Sequence, residues 1–393
     1  MSSGGLVPPN THRPPDAQML APLILILYIF LSAILPAPLR WRWKVPLTAL
    51  LALCALKLPL ARLLGIPWYL SPDGVPRPLL LLSSGAYILT IVLTLLLLLG
   101  DAITLLPLLA LRWRRRLPVR RLRMRLQAGL LALATLLTVV GMANAFGDPD
   151  IRRLTLRLPV RTPVTLALLT DLHADSLFPD DHIARMVDLA NRLQPDFVLL
   201  DGDLVDGSPE QRLERLKPLA NLTPRLATLG VPGNHEYYSD YTAWKPLLEQ
   251  LNVQMLDNAH RDFPDLGLTL IGVTDPTARR FGLPEPNPEQ ATAGLPPDRA
   301  RVALAHQPRL ARRFLELPPE RRPHLLLAGH THGGMMPLLS TFIARFNDGF
   351  VAGLYELDAM CLYVSRGTGI WNGFPIRLLC PAEVTLITLT PTP

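Results

Sequence analysis

Residues that can bind metal ions recur directly after short apolar runs in the second half of this chain. Each string holds a carboxylate, an imidazole or an amide oxygen, and each follows a run typical of a buried strand. Loops beyond the carboxyl ends of strands converge in α/β sheets, so the strings predict one site built from several strand ends. In chain order they are Asp171-Leu-His173, Gly202-Asp203-Leu-Val-Asp206, Gly233-Asn234-His235-Glu236, His306 and Gly329-His330-Thr-His332.

Short apolar runs alternate with amphipathic stretches throughout this half. The alternation predicts a single α/β domain over residues 163–393. The strand candidates are Val164–Thr170, Phe197–Leu200, Leu226–Leu229, Leu268–Val273, Val302–Ala305, Leu325–Ala328, Cys361–Ser365 and Val384–Leu389. The helix candidates between them are His182–Leu193, Glu210–Leu219, Tyr241–Leu251 and Pro308–Leu317.

Long apolar runs fill the first part of the chain. A membrane-spanning helix needs about 20 apolar residues, so we expect a transmembrane region over 19–147 with three to four helices. The runs lie at about 20–35, 45–66, 79–100 and 126–146. Lys57 and Arg62 interrupt the second run, which therefore either spans the membrane or lies at its interface. A disordered tail is expected at 1–18 and a linker at 148–162.

Much of the chain's formal charge of +7 lies in one arginine-dense segment between the third and fourth runs. Arginines beside apolar runs mark cytoplasmic loops, so the fourth helix is expected to place the domain on the extracytoplasmic side of the inner membrane. Membrane lipids are the expected partners, and no nucleic acid is expected because aromatic residues do not interleave with the charges. The arginines are Arg112, Arg114, Arg115, Arg116, Arg120, Arg121, Arg123 and Arg125.

The candidate ligands are too numerous for one tetrahedral ion. Without His235 they comprise two aspartates, one asparagine and four histidines, which suit two divalent ions that share a carboxylate. Two-metal sites clamp the attacking and leaving oxygens of a phosphoryl transfer, and a hydroxide that bridges the ions would be the nucleophile. Oxygen and nitrogen ligands without thiolate suit Mn, Fe, Zn or Co.

The ordered strings resemble the calcineurin-like metallophosphoesterase superfamily, with its pattern D-x-H, G-D-x-x-D, G-N-H-[DE], H and G-H-x-H. The resemblance covers residues 163–393 and implies a β-sandwich flanked by helices (αββα) and a metal-dependent phosphoric ester hydrolase. It implies one metal held by Asp171, His173, Asp203 and His332, and another held by Asp203, Asn234, His306 and His330. Asp203 would bridge the ions, and His235, oriented by Asp206, would be the general acid or phosphate-side hydrogen-bond donor.

The end of the chain is similar to the bacterial membrane-associated phosphodiesterase-like branch, through Gly353–Tyr355, Tyr363–Gly369 and Phe374–Glu383. Gly207 stands where phosphoprotein phosphatases carry arginine, which argues against a protein phosphatase. Met335 stands where the branch commonly has glutamine.

Several alternatives remain open from the sequence. The expected function is hydrolysis of a phosphodiester, lipid or envelope-derived. The alternatives are a cytoplasm-facing hydrolase of a lipid-linked nucleotide pyrophosphate and a non-catalytic membrane scaffold or transport component. Arg366 and Arg377 either contact a substrate phosphate or form structural ion pairs, and Cys361 and Cys380 either pair or stay reduced. We also expect Glu236 to support its loop rather than bind metal.

Overall fold

A computed structural model describes residues 24–35, 37, 39–56, 73–113, 119–358 and 360–392. The tail predicted at 1–18 and part of the second apolar run lie outside these residues. The described residues divide into two compact units, one within 24–56 and 82–138 and the other within 73–81 and 139–392.

The first unit is helical. The described helices of the apolar half are α1 (Ile24–Ile34), α2 (Trp41–Ala55), α3 (Arg77–Trp113) and α4 (Val119–Ala145). Among the described residues, two segments are long and apolar enough to cross a membrane, Arg77–Thr104 and Arg121–Ala145. Only 28% and 17% of their most apolar windows are buried, so these helices present apolar surface that a lipid environment would cover.

The second unit contains two six-stranded sheets in its described residues. Their order is β1-β12-β2-β3-β4-β5 in the first sheet and β10-β11-β9-β8-β7-β6 in the second, with parallel pairing at the centre of both. The strands are β1 (Asp150–Leu158), β2 (Val164–Leu169), β3 (Phe197–Asp201), β4 (Ala227–Val231), β5 (Val253–Met255), β6 (Ala259–Phe263), β7 (Leu268–Gly272), β8 (Ala300–Leu304), β9 (Leu325–Ala328), β10 (Gly353–Leu357), β11 (Met360–Val364) and β12 (Glu383–Pro391).

Seven described α-helices accompany these strands. They are α5 (His182–Arg192), α6 (Pro209–Leu216), α7 (Asn234–Tyr238), α8 (Tyr241–Gln250), α9 (Pro288–Ala291), α10 (Ala311–Leu315) and α11 (Pro337–Phe346). The predicted helices at 182–193 and 241–251 correspond to α5 and α8. Those at 210–219 and 308–317 are each divided between an α-helix and a 3₁₀ turn, Lys217–Asn221 and Pro308–Leu310.

Alternating strand residues pack the sheets against each other and against helices. Leu166 and Leu168 of β2 lie between the sheets with Leu270 of β7, whereas Leu169 faces outward and packs with Met186 of α5. The outer face of the second sheet is covered by α10 in the same way. This arrangement confirms the predicted αββα sandwich, because side chains that alternate along a strand fill two separate apolar layers.

The linker predicted at 148–162 contains β1 instead. This strand pairs in parallel with β12, with Leu154 opposite Ile387. Leu154, Leu156 and Leu158 alternate with polar residues and pack on the core between the sheets. The prediction was wrong because this edge strand buries only one face. Its leucines alternate with arginine and threonine, so the segment lacks the continuous apolar run that marks a buried strand.

Candidate metal centre

The predicted site residues all follow strands, at neighbouring edges of the two sheets. Asp171 and Asp203 follow β2 and β3 of the first sheet, and Asn234 begins α7 after β4. His306 and His330 follow β8 and β9 of the second sheet. The parallel strands end at a common edge, so residues distant in sequence meet there.

Five of the predicted site residues have a left-handed backbone conformation. Their φ angles lie between 46° and 71°, a region that residues other than glycine rarely adopt because it is strained. Such strain concentrates at functional sites, where surrounding contacts hold it. The sharp turns direct the side chains into one pocket, and the residues are Asp171, His173, Asp203, His330 and His332.

Beside this pocket, the backbone that follows β9 of the second sheet lies close to Asp171, which follows β2 of the first sheet. His330 N donates to Asp171 Oδ1 and Oδ2, each at 3.1 Å. A Cβ added at Gly329 would lie 2.6 Å from Asp171 Oδ2, so only glycine permits the approach.

Three groups of side chains bring potential metal-binding atoms within 4.8 Å of one another. Asp203 belongs to two of the groups, as does His173, and its Oδ2 lies 3.1 Å from His306 Nε2; its bridging role stays a prediction. His235 also lies near Asp203, with Nε2 3.9 Å from Oδ2, so its role as an acid rather than a ligand stays a prediction. The groups are Asp171, His173 and His332; His173, Asp203 and His235; and Asp203, His306 and His330.

Hydrogen bonds to the outer ring nitrogens orient two of the histidines. The Nδ1 of His306 lies 2.7 Å from the carbonyl oxygen of Asp201, which can only accept, so Nδ1 carries a proton and Nε2 is directed into the pocket toward Asp203. His173 Nδ1 lies 3.1 Å from Asp206 Oδ2, and its Nε2 faces His332 Nε2 at 3.2 Å. Neutral rings with inward lone pairs are the form that metal ions bind.

The Asn234 side chain fits a metal ligand in the same way. Its Oδ1 is buried and has no hydrogen-bond partner among the described residues. An unpaired buried amide oxygen is costly, and coordination to a divalent ion would satisfy it. Together with the inward-facing imidazoles, this orphaned oxygen fits a binuclear centre of mixed oxygen and nitrogen ligands.

Asp201 and Glu236 are the acidic residues most easily confused with ligands. Glu236 accepts hydrogen bonds from the backbone of Asp203, Leu204 and Gly233, which confirms its expected role in supporting the loop. The carboxylate of Asp201 has no hydrogen-bond partner among the described residues, and burial raises its pKa to about 8. It is absent from the three ligand groups, in agreement with the choice of Asp203.

Burial and neighbouring charges shift the pKa values of the pocket residues in different directions. Burial alone would raise the pKa of Asp203, but His306 and His235 hold it well below its usual range. Burial and the neighbouring His306 lower the pKa of His330 to about 3. Burial would lower the pKa of His235 too, but the carboxylates of Asp203 and Asp206 outweigh it and raise that pKa to about 9. The pocket therefore combines an ionised carboxylate, a neutral imidazole and a protonated imidazole at neutral pH.

Asp206 has a wider role than the sequence predicted. It contacts Nδ1 of His235, as expected, and it contacts Nδ1 of His173 as well. Behind it lies Arg212, a residue that the sequence analysis missed, whose Nε donates to the Asp206 carbonyl at 2.8 Å. Arg212 is buried and its Nη1 donates to Asp73 at 2.5 Å. Asp73 is 139 positions away in the chain, so no local pattern could have revealed this contact.

Arg377 has a structural role rather than contact with a substrate phosphate. It is fully buried and donates to the carbonyl oxygens of Arg366 at 2.8 Å, Gly367 at 3.2 Å and Cys380 at 3.2 Å. Its Nη1 also reaches the carbonyl of His332, at 3.5 Å. Arg377 therefore stabilises the loops behind a predicted metal ligand. Cys380 is a free thiol, as are Cys54 and Cys361.

Comparison with known proteins agrees with this geometry. Residues 164–334 match the model of the calcineurin-like phosphoesterase family. Residues 164–334 therefore form a calcineurin-like metallophosphoesterase domain.

Curated relatives share this domain. A Bos taurus protein named "Transmembrane protein with metallophosphoesterase domain" is 36% identical over 280 residues, covering 66% of this chain and 62% of the relative. An uncharacterized metallophosphoesterase of Helicobacter pylori is 35% identical over 227 residues, covering 58% and 60%. The chain thus spans about three fifths of the length of these relatives. A solved 5'-nucleotidase precursor from Thermus thermophilus has 16% identity and a TM-score of 0.35, covering 57% and 55%, a likeness too low to carry an argument.

Proposed function

We propose that this chain is a membrane-anchored, metal-dependent phosphoesterase that hydrolyses phosphodiesters. The observation that carries the proposal is Asp203, an ionised carboxylate shared by two groups of metal-binding side chains. The family match and the names of the relatives support a phosphoric ester hydrolase. The two candidate spans and the relatives named as transmembrane proteins support the membrane anchor.

Each side chain has a defined task in this proposal. Asp171, His173, Asp203 and His332 would hold one divalent ion, and Asp203, Asn234, His306 and His330 would hold the other. When bound, two such ions polarise the phosphoryl group and make a nucleophile available at neutral pH. His235, held by Asp206, donates a hydrogen bond or a proton to the substrate's leaving oxygen.

Metal removal tests this function. Treatment of the full chain in detergent with a chelator is expected to lower the hydrolysis of bis(p-nitrophenyl) phosphate by at least about 10³-fold, because ligand side chains alone provide no Lewis acid. Addition of Mn, Fe, Zn or Co should restore activity, and metal analysis should find two ions per chain. Hydrolysis of p-nitrophenyl phosphate alone would contradict the diesterase assignment, and full activity of the metal-free chain would contradict the mechanism.

We further propose that the domain lies on the extracytoplasmic side of the inner membrane. The arginine-dense segment between α3 and α4 supports this orientation because positive loops stay in the cytoplasm. The start of α3, residues 77–81, and the end of α4, residues 139–145, belong to the same compact unit as the domain.

Reporter fusions test this orientation. Alkaline phosphatase fused after Phe146 is expected to be active, since it folds only outside the cytoplasm, and a fusion after Trp113 should be inactive. The reverse pattern would overturn the proposed orientation and favour the cytoplasm-facing hydrolase of a lipid-linked nucleotide pyrophosphate.

A further inference from the structure

Helix α11 (Pro337–Phe346) exposes an apolar face close to the metal centre. It begins five residues after His332, and none of its residues is buried in the described structure. Leu338, Phe342 and Phe346 are 62%, 60% and 61% exposed. Their spacing of four places them on one side of the helix, where the two phenylalanine rings lie 4.9 Å apart. The helix carries no acidic residue and one basic residue, Arg345, so none of its side chains repels an anionic lipid surface.

Leu379 extends this apolar surface. Its side chain is 91% exposed, and its φ of 56° is strained for leucine. The preceding residue, Leu378, donates its backbone N–H to the carbonyl of Met335 at 2.9 Å. This hydrogen bond connects the segment that contains Leu379 to the residues directly before α11. Both the strained backbone and the exposed apolar side chain of Leu379 cost free energy in water. Contact of this side chain with another apolar surface would offset that cost.

The same segment packs against the end of a candidate membrane span. The side chains of Ile376 and Leu378 lie so close to Gly141 of α4 that an added Cβ would be 3.1 Å from Leu378 Cγ. Arg377 N donates to the Gly141 carbonyl at 2.8 Å, and the Arg377 carbonyl accepts from Asn144 at 3.2 Å. Leu379 therefore lies next to the last turns of a helix whose apolar surface we assign to lipid.

The start of the other candidate span meets the same side of the domain. Arg77 at the beginning of α3 donates to the carbonyl of Leu177, in the loop after β2, at 2.8 Å. Asp73 accepts from Ser176 at 3.0 Å and from Arg212 beside Asp206. The first residues of α3 and the last turn of α4, which belong to the same compact unit as the sheets, thus contact loops at the carboxyl ends of the strands, the edge that holds the metal-binding side chains.

We propose that α11 and Leu379 insert into the outer layer of the bilayer, and that the substrate is a phosphoester whose apolar tail remains in that bilayer. The proposal rests on the proposed function and deepens it by assigning the substrate class. The occupant of this surface is lipid rather than a protein partner, because Leu379 adjoins residues that pack on the last turns of α4 and the one charged residue of α11, Arg345, is basic. A bilayer-embedded phosphate would then reach the metal centre without leaving the membrane.

Paired substrates test the proposal in proteoliposomes of the full chain. One substrate is the soluble bis(p-nitrophenyl) phosphate, and the other is an aryl phosphodiester with two oleoyl chains embedded in phosphatidylcholine vesicles. The Phe342→Asp and Leu379→Asp variants are expected to lower kcat/KM for the embedded substrate about tenfold, because each places a charge at the lipid surface. The rate on the soluble substrate should change by less than about twofold, because neither residue touches the metal-binding groups.

Leu226 provides the matched control. It is also an exposed leucine, 51% accessible, but it precedes β4 at the opposite end of the first sheet. Leu226→Asp should leave both rates unchanged. Equal rates of wild type and both surface variants on the embedded substrate would overturn the inference. If wild type with added Mn²⁺ hydrolyses neither substrate, the proposed function itself fails.

A binding measurement keeps the inference falsifiable if a variant loses both activities. The added fluorescence of Phe342→Trp, relative to wild type, should be quenched by brominated phosphatidylcholine, whereas that of Leu226→Trp should not. Unquenched emission from position 342 would overturn the inference whatever the activities are.

Discussion

The Asp203→Asn variant is expected to lose at least one metal ion per chain and to hydrolyse bis(p-nitrophenyl) phosphate at least about 10³-fold more slowly than wild type. Asp203 is the only residue predicted to bind both ions, and its Oδ2 lies 3.1 Å from His306 Nε2. The neutral amide keeps the shape of the side chain but removes the charge that two cations share. Metal analysis and steady-state kinetics on the same preparation measure both effects.

Asp201→Asn is the matched control for this variant. Asp201 is also buried and only two residues away, but its carboxylate has no hydrogen-bond partner among the described residues and belongs to none of the three ligand groups. Burial raises the pKa of Asp201 to about 8, so replacement by a neutral amide changes its charge little at neutral pH. This variant should keep two ions and activity within about threefold of wild type. Two ions and a full rate in Asp203→Asn would show that Asp203 does not bridge the metals.

The His235→Ala variant should lose about 10²–10⁴-fold in kcat while it keeps both metal ions. This magnitude is that of a general acid, the role that the contact with Asp206 supports. For a dialkyl phosphodiester, whose alkoxide leaving group needs a proton, the rate should fall by a larger factor than for bis(p-nitrophenyl) phosphate, because p-nitrophenolate needs no proton to leave.

Metal analysis distinguishes the two possible roles of His235. Loss of an ion from His235→Ala would instead identify His235 as a ligand, consistent with its position near His173 and Asp203. His260→Ala, at a histidine that contacts the Ala291 carbonyl away from the site, should leave kcat and metal content unchanged.

The ligand-bearing strings could be predicted because their information is local. A short apolar run predicts a strand, and a glycine beside a polar residue predicts a sharp turn. Asp171, Asp203 and His306 therefore lie in the pocket where the order of the strings placed them. The left-handed φ angles of Asp171 and Asp203 could not be predicted, because tertiary contacts hold that strain.

Contacts between segments distant in the chain could not be predicted from the sequence. Arg212 reads as an ordinary polar residue of an amphipathic helix, and only the fold buries it between Asp206 and Asp73. Arg377 remained ambiguous for the same reason, since its partners are backbone carbonyl groups, which every residue carries. Side-chain identity does not predict such partners.

The amino-acid sequence by itself indicated the candidate metal-binding residues of this protein, the strand ends that carry them, and the apolar runs of the first half of the chain. These properties depend on residue type and on periods of a few residues. Only the tertiary structure decided that Asp206 contacts both His173 and His235. It also decided that Arg77 and Gly141, at the ends of α3 and α4, contact loops at the metal-binding edge. These features depend on how distant strands and loops pack, and packing is a property of the whole fold.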